Sequence, residues 1–449
     1  MNLAGLSGLR SGSALIGATI LAAVLLLTVA HASPVNISGP GTSIADTYFG
    51  MHVHRVARGN PPTPWPVARI GAFRLWDTGV MWTHLEPQKG QWRFEELDRI
   101  VEIAQAQGVD LMLTLGVPPP WAASRPQDPF IYGPGGNSPP RDMADWENYV
   151  RAVATRYKGK IRYFELWNEP TYDEIDRSKG YFSGSVKTMV ELARIAHQVI
   201  KQVDPANKLV SPPCTDDTGI GGRLDLFLSS GGKAYVEVIA HHFYVAYPER
   251  MLHYVSTIRA VMQKHGIAHL PLWNTESGFN IPVTGERLVA DAIVENDEEL
   301  AGMIARAHVL GAVSGLQRFY WYSWEITMLD RADKNESVNP IVLAYTQTLR
   351  WLRGIRVLGC HSPDRKLWTC ALALDGRRAY MVWHERTPLE WQAPASWAAR
   401  QYETLDARIQ PLSAGQRLTL GPSPILIKTD TLLWSVYHKS GVPLPLPQP

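Results

Sequence analysis

Two stretches of sequence, Phe164-Glu-Leu-Trp-Asn-Glu-Pro170 and Leu272-Trp-Asn-Thr-Glu-Ser-Gly278, indicate the fold of this chain. Each is a largely apolar run that ends on a polar segment with a glutamate. A strand buried on both faces in a parallel barrel has this pattern when its carboxyl end reaches the rim. Glu169 and Glu276 are therefore predicted to lie together at one rim.

Six more strands, each a short apolar run, are predicted around these two. The eight predicted strands are Tyr48–Val53, Ala72–Trp76, Asp110–Leu115, Tyr163–Trp167, Lys208–Ser211, Val236–Val245, Leu270–Asn274 and Arg318–Trp324. Segments with apolar residues at helical spacing lie between or after them, at Phe94–Gly108, Met143–Tyr157, Met189–Val203, Glu249–His265, Glu298–Val313 and Pro340–Leu352. This alternation predicts an α/β fold, a (β/α)8 TIM barrel over residues 33–354.

The pattern changes near Gly354 to short alternating runs that are separated by turns. We therefore predict a C-terminal antiparallel β-sandwich domain over residues 355–449, with a Pro-rich tail. Its apolar face, which includes Trp383 and Trp434, is expected to pack on the barrel. Residues 34–46 add a strand to that sandwich or cap the barrel floor, and the sequence leaves both open. Cys360 and Cys370 flank a predicted hairpin turn at 363–366 and could pair, which would leave Cys214 as the odd cysteine.

The first 32 residues read as an export signal or as a retained membrane anchor. Ala14–Ala30 is almost wholly apolar, and Ala30-His31-Ala32 fits a small-x-small cleavage site. The run is at the lower length limit for a bilayer span. Either reading predicts an exported, periplasmic body, with inner-membrane association if the segment is retained.

Composition fits a packed enzyme rather than a nucleic-acid-binding protein. The 449 residues are 45% hydrophobic and 19% charged, and the formal net charge is only +2. Such a balance does not favour a nucleic-acid partner.

Polar and aromatic residues follow most of the predicted strands at their carboxyl ends, where barrel enzymes carry their active sites. They are His52, His54, Arg74, Trp76, Asn168, Glu169, His242, Tyr244, Glu276, Trp321 and Trp324. A pair of carboxylates at this rim suits glycoside hydrolysis, because one acid protonates the leaving oxygen while the other carboxylate faces the cationic carbon.

These motifs resemble a clan of barrel glycosidases, and with the sandwich added the nearest fit is family 39 of the glycoside hydrolases. The resemblance covers roughly residues 45 to 350. It implies that Asn168-Glu169-Pro170 carries the acid/base, that Glu276 is the nucleophile and that Arg74 lies near it. His242 and Tyr244 resemble a His-x-Tyr pair on the sixth strand.

The chemistry of these side chains suggests further roles. Asn168 can donate its amide to the sugar 2-hydroxyl, and Tyr244 and Arg74 can keep Glu276 ionised. Trp76, Trp321 and Trp324 are predicted to floor the sugar subsites. Glu165 shares a strand with Glu169 and is expected about 13 Å deeper, paired with an arginine such as Arg162 or Arg74; it is also the alternative acid.

Two other functions, a metal-dependent hydrolase and a polysaccharide-binding scaffold, fit parts of the sequence. His52-x-His54 resembles the start of a binuclear metal site, but the fifth strand ends Ser211-Pro-Pro-Cys214 without a histidine. We therefore expect no metal and no cofactor, and a role for His52 and His54 in contacting or supporting the sugar. An exported polysaccharide-binding scaffold is the second rival, although a pure binder would not require the carboxylate pair.

The carboxylate pair and the loops therefore predict a retaining endo-glycoside hydrolase. The resemblance further implies that the substrate is an exopolysaccharide and that the enzyme is linked to exopolysaccharide biosynthesis and the biofilm matrix. The loops Pro118–Arg141 and Thr171–Lys187 are predicted to wall a long groove on both sides of Glu169. The alternative is an exo-acting β-xylosidase- or iduronidase-like enzyme, in which the same loops would block one end of the groove. The sugar and the linkage are left open.

Overall fold

The computed structural model of the chain describes residues 33–175, 180–215, 219–279, 282–283, 286–287, 296–329 and 339–429. Its first strand is β1 (Val35–Ser38), and the barrel strands are β2 (Phe49–Met51), β3 (Ala72–Leu75), β4 (Asp110–Leu115), β5 (Tyr163–Leu166), β6 (Lys208–Val210), β7 (Ile239–His242), β8 (Leu272–Ser277) and β11 (Arg318–Trp321). The short strands β9 (Pro282–Val283) and β10 (Glu286–Arg287) pair with each other.

The eight barrel strands are hydrogen-bonded in the order β6-β5-β4-β3-β2-β11-β8-β7, and all the pairs are parallel. Backbone hydrogen bonds from Ser211 N to Val238 O at 2.9 Å and from His242 N to Cys214 O at 3.0 Å connect the β6 and β7 segments. The TIM barrel predicted from the sequence is therefore confirmed.

Eight α-helices lie among the described residues, namely α1 (Trp82–Leu85), α2 (Glu95–Gln107), α3 (Met143–Arg156), α4 (Val186–Val203), α5 (Gly222–Ser229), α6 (Met251–Lys264), α7 (Asp297–Val313) and α8 (Pro340–Leu352). Local sequence sets several of their ends. The side chain of Asn339 accepts hydrogen bonds from the amides of Ile341 and Val342, with Pro340 at the first helical position of α8. No helix in these described ranges is long and apolar enough to cross a bilayer.

The C-terminal strands are β12 (Arg356–Ser362), β13 (Leu367–Leu374), β14 (Arg377–His384), β15 (Leu389–Gln392), β16 (Gln401–Glu403), β17 (Ile409–Pro411), β18 (Arg417–Leu420) and β19 (Ile425–Lys428). A seven-stranded sheet has the order β1-β12-β13-β14-β19-β16-β17, and its pairs are antiparallel. The β15–β18 ribbon adds Leu418 and Leu420 to an apolar cluster with Val382 and Ile427 of the large sheet.

The segment 34–46 both adds a strand to the large sheet and lies at the barrel floor, the two placements that the sequence left open. Strand β1 joins the large sheet by pairing with β12, and Ser43 bridges to Arg356. Ser43 and Ile44 also line a cavity of about 470 Å³ together with barrel-floor residues such as Trp273 and Arg318. Cys360 and Cys370 face each other across β12 and β13 and form a disulfide, while Cys214 is a buried thiol.

The sheet packs on the barrel through buried aromatic and charged groups. The indole of Trp383 donates to Glu249 Oε1 at 2.9 Å, and that of Trp351 donates to Glu403 Oε2 at 2.9 Å. Trp383 is fully buried, as predicted for the apolar face of this sheet. Trp434, assigned to the same face, lies outside the described residues, as do the predicted export signal or anchor at residues 1–32 and the Pro-rich tail.

Candidate active site

Arg74 organises the centre of the candidate site. It lies on β3 with its side chain fully buried in the barrel interior. Its guanidinium donates three hydrogen bonds of 2.7 Å each, from Nη1 to Glu276 Oε2, from Nε to Glu165 Oε2 and from Nη2 to Asn168 Oδ1. One planar cation therefore fixes residues from two other strands, as the fork geometry of arginine allows.

Glu276 comes from β8 and is held from two sides. Arg74 binds one carboxylate oxygen, and the hydroxyl of Tyr244 donates to the other at 2.8 Å. Burial raises the pKa of the Glu276 carboxyl, while the Arg74 charge and the Tyr244 hydrogen bond act in the opposite direction. The carboxylate is thus fixed in orientation, with only 10% of its side chain exposed.

Glu169 follows β5 where the chain leaves strand geometry. Trp167 and Glu169 have positive φ angles of 61° and 41°, a conformation that costs a non-glycine residue about 1 kcal/mol or more. The turn brings Glu169 Oε1 to 2.7 Å from His242 Nδ1 of β7. Burial lowers the pKa of His242 well below its usual value, so this ring is neutral at neutral pH.

The two glutamates lie together, as the strand-end pattern predicts. One carboxylate oxygen each from Glu169 and Glu276 and a ring nitrogen of His242 all lie within 4.8 Å of one another. Within the described part of the chain, these three groups are also the set placed closely enough to hold a metal ion. However, Glu276 already binds Arg74 and Tyr244, and Glu169 is hydrogen-bonded to His242. This arrangement suits proton transfer and nucleophilic attack better than ion binding.

Glu165 is the buried carboxylate below the pair. Its carboxylate pairs with Arg74, which was one of the two arginines that the sequence suggested as its partner. It also accepts a hydrogen bond from Thr114 at 2.9 Å. The expected depth of about 13 Å assumed a straight strand, but β5 ends at Leu166 and the chain turns at Trp167. Because one guanidinium contacts both Glu165 and Glu276, Glu165 lies nearer the reacting level than that estimate implied.

His52 and His54 lie on the β2 side of the site but do not form a metal pair. His52 Nε2 is 3.1 Å from the carbonyl oxygen of Thr275, whereas the ring of His54 lies against that of Tyr322 with centroids 4.9 Å apart. Burial is the main cause of a lowered pKa in both rings. Neither histidine belongs to the cluster of Glu169, His242 and Glu276 described above.

The prediction that tryptophans floor the sugar site is wrong. Trp321 and Trp324 are fully buried. The Trp321 ring packs on His308 of α7 at 5.9 Å, outside the barrel. Trp76 is also only 2% exposed, with its ring edge-on to Tyr132 and Tyr181. None of these three indoles offers an open face to a sugar.

Tyr322, one residue after Trp321, is the residue that faces the site. Side chains alternate along β11, so Tyr320 points into the barrel interior with Ala72 and Met112. Tyr322 continues that face, and its hydroxyl donates to Asp77 Oδ2 at 2.7 Å. This alternation is visible in the sequence, whereas ring size alone favours the neighbouring tryptophans.

The two loops predicted as opposite groove walls form one wall instead. They follow the adjacent strands β4 and β5, and they are hydrogen-bonded to each other from Ser183 N to Asn137 O at 2.7 Å. Phe130 and Tyr132 of the first loop pack on Tyr181 of the second. Part of the second loop, residues 176–179, lies outside the described residues.

The family model for glycosyl hydrolases family 39 matches residues 69–284, the segment that carries Arg74, Glu165, Glu169 and Glu276. A β-xylosidase from Geobacillus stearothermophilus is 23% identical in an alignment of 210 residues, and the match covers 41% of this chain and 40% of that relative.

Solved structures share the fold over most of the chain. A glucosidase from Croceicoccus marinus and a monomeric β-xylosidase from Caulobacter crescentus both have a TM-score of 0.59 and 14% identity. Their alignments cover 88% and 87% of this chain and 98% and 97% of theirs, respectively. A family 30 endoxylanase from Clostridium papyrosolvens has a TM-score of 0.57 and 12% identity, over 88% of this chain and 99% of its own. The family 39 match and the β-xylosidase relative together support a glycoside hydrolase.

Proposed function

We propose that this chain is a retaining glycoside hydrolase in which Glu276 is the nucleophile and Glu169 the acid/base. The observation that carries the proposal is the approach of their carboxylate oxygens to within 4.8 Å. Retaining enzymes place the two carboxyl groups about 5–5.5 Å apart, whereas inverting enzymes leave about 6.5–9.5 Å for a water molecule.

The contacts of each carboxylate suggest its part in the reaction. Arg74 and Tyr244 hold Glu276, so one of its oxygens can attack the anomeric carbon while the glycosidic bond breaks. Glu169, which is 19% exposed and lies against neutral His242, donates its proton to the leaving oxygen. In the second step Glu169 takes a proton from water, and the hydroxide displaces the sugar from Glu276 with net retention.

The proposed substrate is a polysaccharide that is cut internally, outside the cytoplasm. The apolar N-terminal segment supports export to the periplasm, with association to the inner membrane if it is retained. Within the clan, the sequence resembles the exported hydrolase made with the Psl exopolysaccharide of pseudomonads. This resemblance supports a role in exopolysaccharide biosynthesis and in the biofilm matrix.

An exo-acting β-xylosidase-like enzyme is the second candidate. The β-xylosidase relative favours it, and so does the merging of the two long loops into one aromatic wall beside the carboxylates. The size of early products separates the candidates. Internal cleavage gives a ladder of oligosaccharides, whereas exo-cleavage releases monosaccharide alone from the first minutes.

The test of the mechanism uses Glu169→Gln, Glu276→Gln and Glu165→Gln with NMR of the first-formed anomer. The first two variants are expected to lose nearly all hydrolysis with unchanged melting temperature, and the wild type is expected to retain configuration. An inverted product contradicts the proposal, and so does near-normal turnover by Glu169→Gln beside a dead Glu165→Gln. A non-hydrolytic polysaccharide-binding scaffold predicts binding without cleavage even in the wild type.

A further inference from the structure

Asp77 is the centre of a second polar cluster at the rim of the barrel. It follows β3 in the left-handed region with a φ angle of 61°, and this turn directs its carboxylate toward the β4 loop and the end of β11. The hydroxyls of Tyr132 and Tyr322 both donate to this carboxylate. An ionised carboxylate has about four acceptor positions, so two remain beyond these two donors.

The charge of Asp77 is not cancelled by the nearest arginine. The guanidinium of Arg58 donates to the backbone carbonyls of Asp77 and His54, and it lies 3.8 Å from the carboxylate of Glu96. Arg58 therefore braces the backbone of the cluster while its charge is directed toward Glu96.

His54 adds an unused polar atom to the cluster. Its Nε2 is buried and has no hydrogen-bond partner among the described residues. Its ring lies beside Tyr322, and Asp77 is the largest charge acting on it. A buried polar atom without a partner is costly, so such an atom beside a binding site is commonly satisfied by ligand or water.

The cluster borders the two reacting carboxylates. Tyr181 and Tyr322 both have raised phenol pKa values, chiefly from burial, with added contributions from Asp77 and Glu276. The charges of Asp77 and of Glu276 therefore both act on these two phenols. Asp77 follows the same strand as Arg74, three residues further along the chain, and Arg74 binds Glu276, so the cluster lies at the same rim as Glu276.

We propose that Asp77, Tyr132, Tyr322 and His54 form a subsite that binds the hydroxyl groups of a neutral sugar and disfavours a uronic acid. Among the described residues around the reacting pair, Asp77, Glu165, Glu169 and Glu276 carry four carboxyl groups. Of the two guanidinium groups nearby, Arg74 binds Glu165 and Glu276, and Arg58 is directed to backbone carbonyls and to Glu96. Burial lowers the pKa of the nearby imidazoles, so they add no cation at neutral pH. Carboxylates accept hydroxyl donors well and repel a second carboxylate. This inference rests on the proposed glycosidase site and names the sugar class that the site takes.

The test compares matched pairs of 4-nitrophenyl β-glycosides that differ only in oxidation at C6, in the gluco, galacto and manno series. The wild type is expected to hydrolyse the neutral member at least about tenfold faster in kcat/KM than its uronide, the effect of one repulsive charge interaction. Asp77→Asn keeps the size of the side chain and is expected to narrow this ratio about tenfold. Asp128→Asn, on the exposed loop that carries Tyr132, is the matched control and should leave the ratio unchanged.

Calorimetry of Glu276→Gln with the same pairs separates this inference from the proposed hydrolysis. If the wild type hydrolyses no member of any pair and cuts no polysaccharide, the hydrolytic proposal fails, and the binding ratio alone decides the inference. Equal or tighter binding of the uronides overturns it. An unchanged ratio in a folded Asp77→Asn also overturns it.

Discussion

Replacing Tyr244 with Phe tests whether Glu276 reacts in its ionised form and whether the Tyr244 hydrogen bond stabilises that form. The variant removes one hydroxyl, which donates to Glu276 Oε1 at 2.8 Å, and keeps the ring. A hydrogen bond to a charged group contributes about 1.5–3 kcal/mol. At about 1.36 kcal/mol per pKa unit, its loss raises the pKa of Glu276 by about one to two units.

The sign of the effect on activity follows from the role of Glu276. A nucleophile reacts only when ionised, so the acidic limb of the kcat/KM profile reports its pKa in the free enzyme. Burial already raises the pKa of Glu276, which places the wild-type limb above the usual glutamate value of about 4.3. In Tyr244→Phe the limb is expected to move to still higher pH by about one to two units, with the basic limb unchanged.

The assay is kcat/KM from pH 3 to 9 with an activated aryl glycoside. Tyr345→Phe is the matched control, because that buried hydroxyl has no hydrogen-bond partner among the described residues. Melting temperatures of both variants exclude unfolding as the cause of any loss at low pH. A limb that stays in place or moves to lower pH in Tyr244→Phe refutes the assignment of Glu276, and so does an equal shift in the control.

Three further outcomes are expected. Glu169→Ala should retain turnover only for substrates with a good leaving group, and azide should restore its rate with formation of a glycosyl azide that has the anomeric configuration of the substrate, as detected by NMR. Replacing Cys360 and Cys370 with Ala opens a disulfide of sequence separation 10, which should lower the unfolding free energy in denaturant titration by about 3 kcal/mol without changing kcat. Lys428→Met leaves the buried carboxylate of Glu403 without its cation and should cost about 3–5 kcal/mol by the same titration, whereas the exposed change Lys366→Met should have little effect.

The sequence predicted the barrel because each strand is a compact apolar run followed by a polar end. The same pattern located Arg74, Asn168 and Glu276, since residues at the carboxyl ends of parallel strands share one rim. The structure brings all three into contact.

The features that the sequence did not predict depend on which face of a strand a residue lies on and on contacts between segments far apart in the chain. Tyr322 rather than Trp321 faces the site, because β11 places Tyr320 inward and alternation then decides its neighbours. The chain turns at Trp167 through a positive φ angle that no local residue pattern required, so the depth of Glu165 was overestimated. The pairing of β1 with β12 joins segments more than 300 residues apart, and local propensity does not specify such partners.

Trapping of the covalent intermediate identifies the nucleophile directly. The wild-type enzyme is incubated with 2-deoxy-2-fluoro glycosides that carry a good leaving group, digested with protease and sequenced by mass spectrometry. We expect one fluoroglycosyl label, on Glu276, in the peptide that contains Leu272–Ser277, and no label in Glu276→Gln. A label on Glu165 or Glu169 would contradict this assignment, as would steady inversion of the anomeric centre without any label.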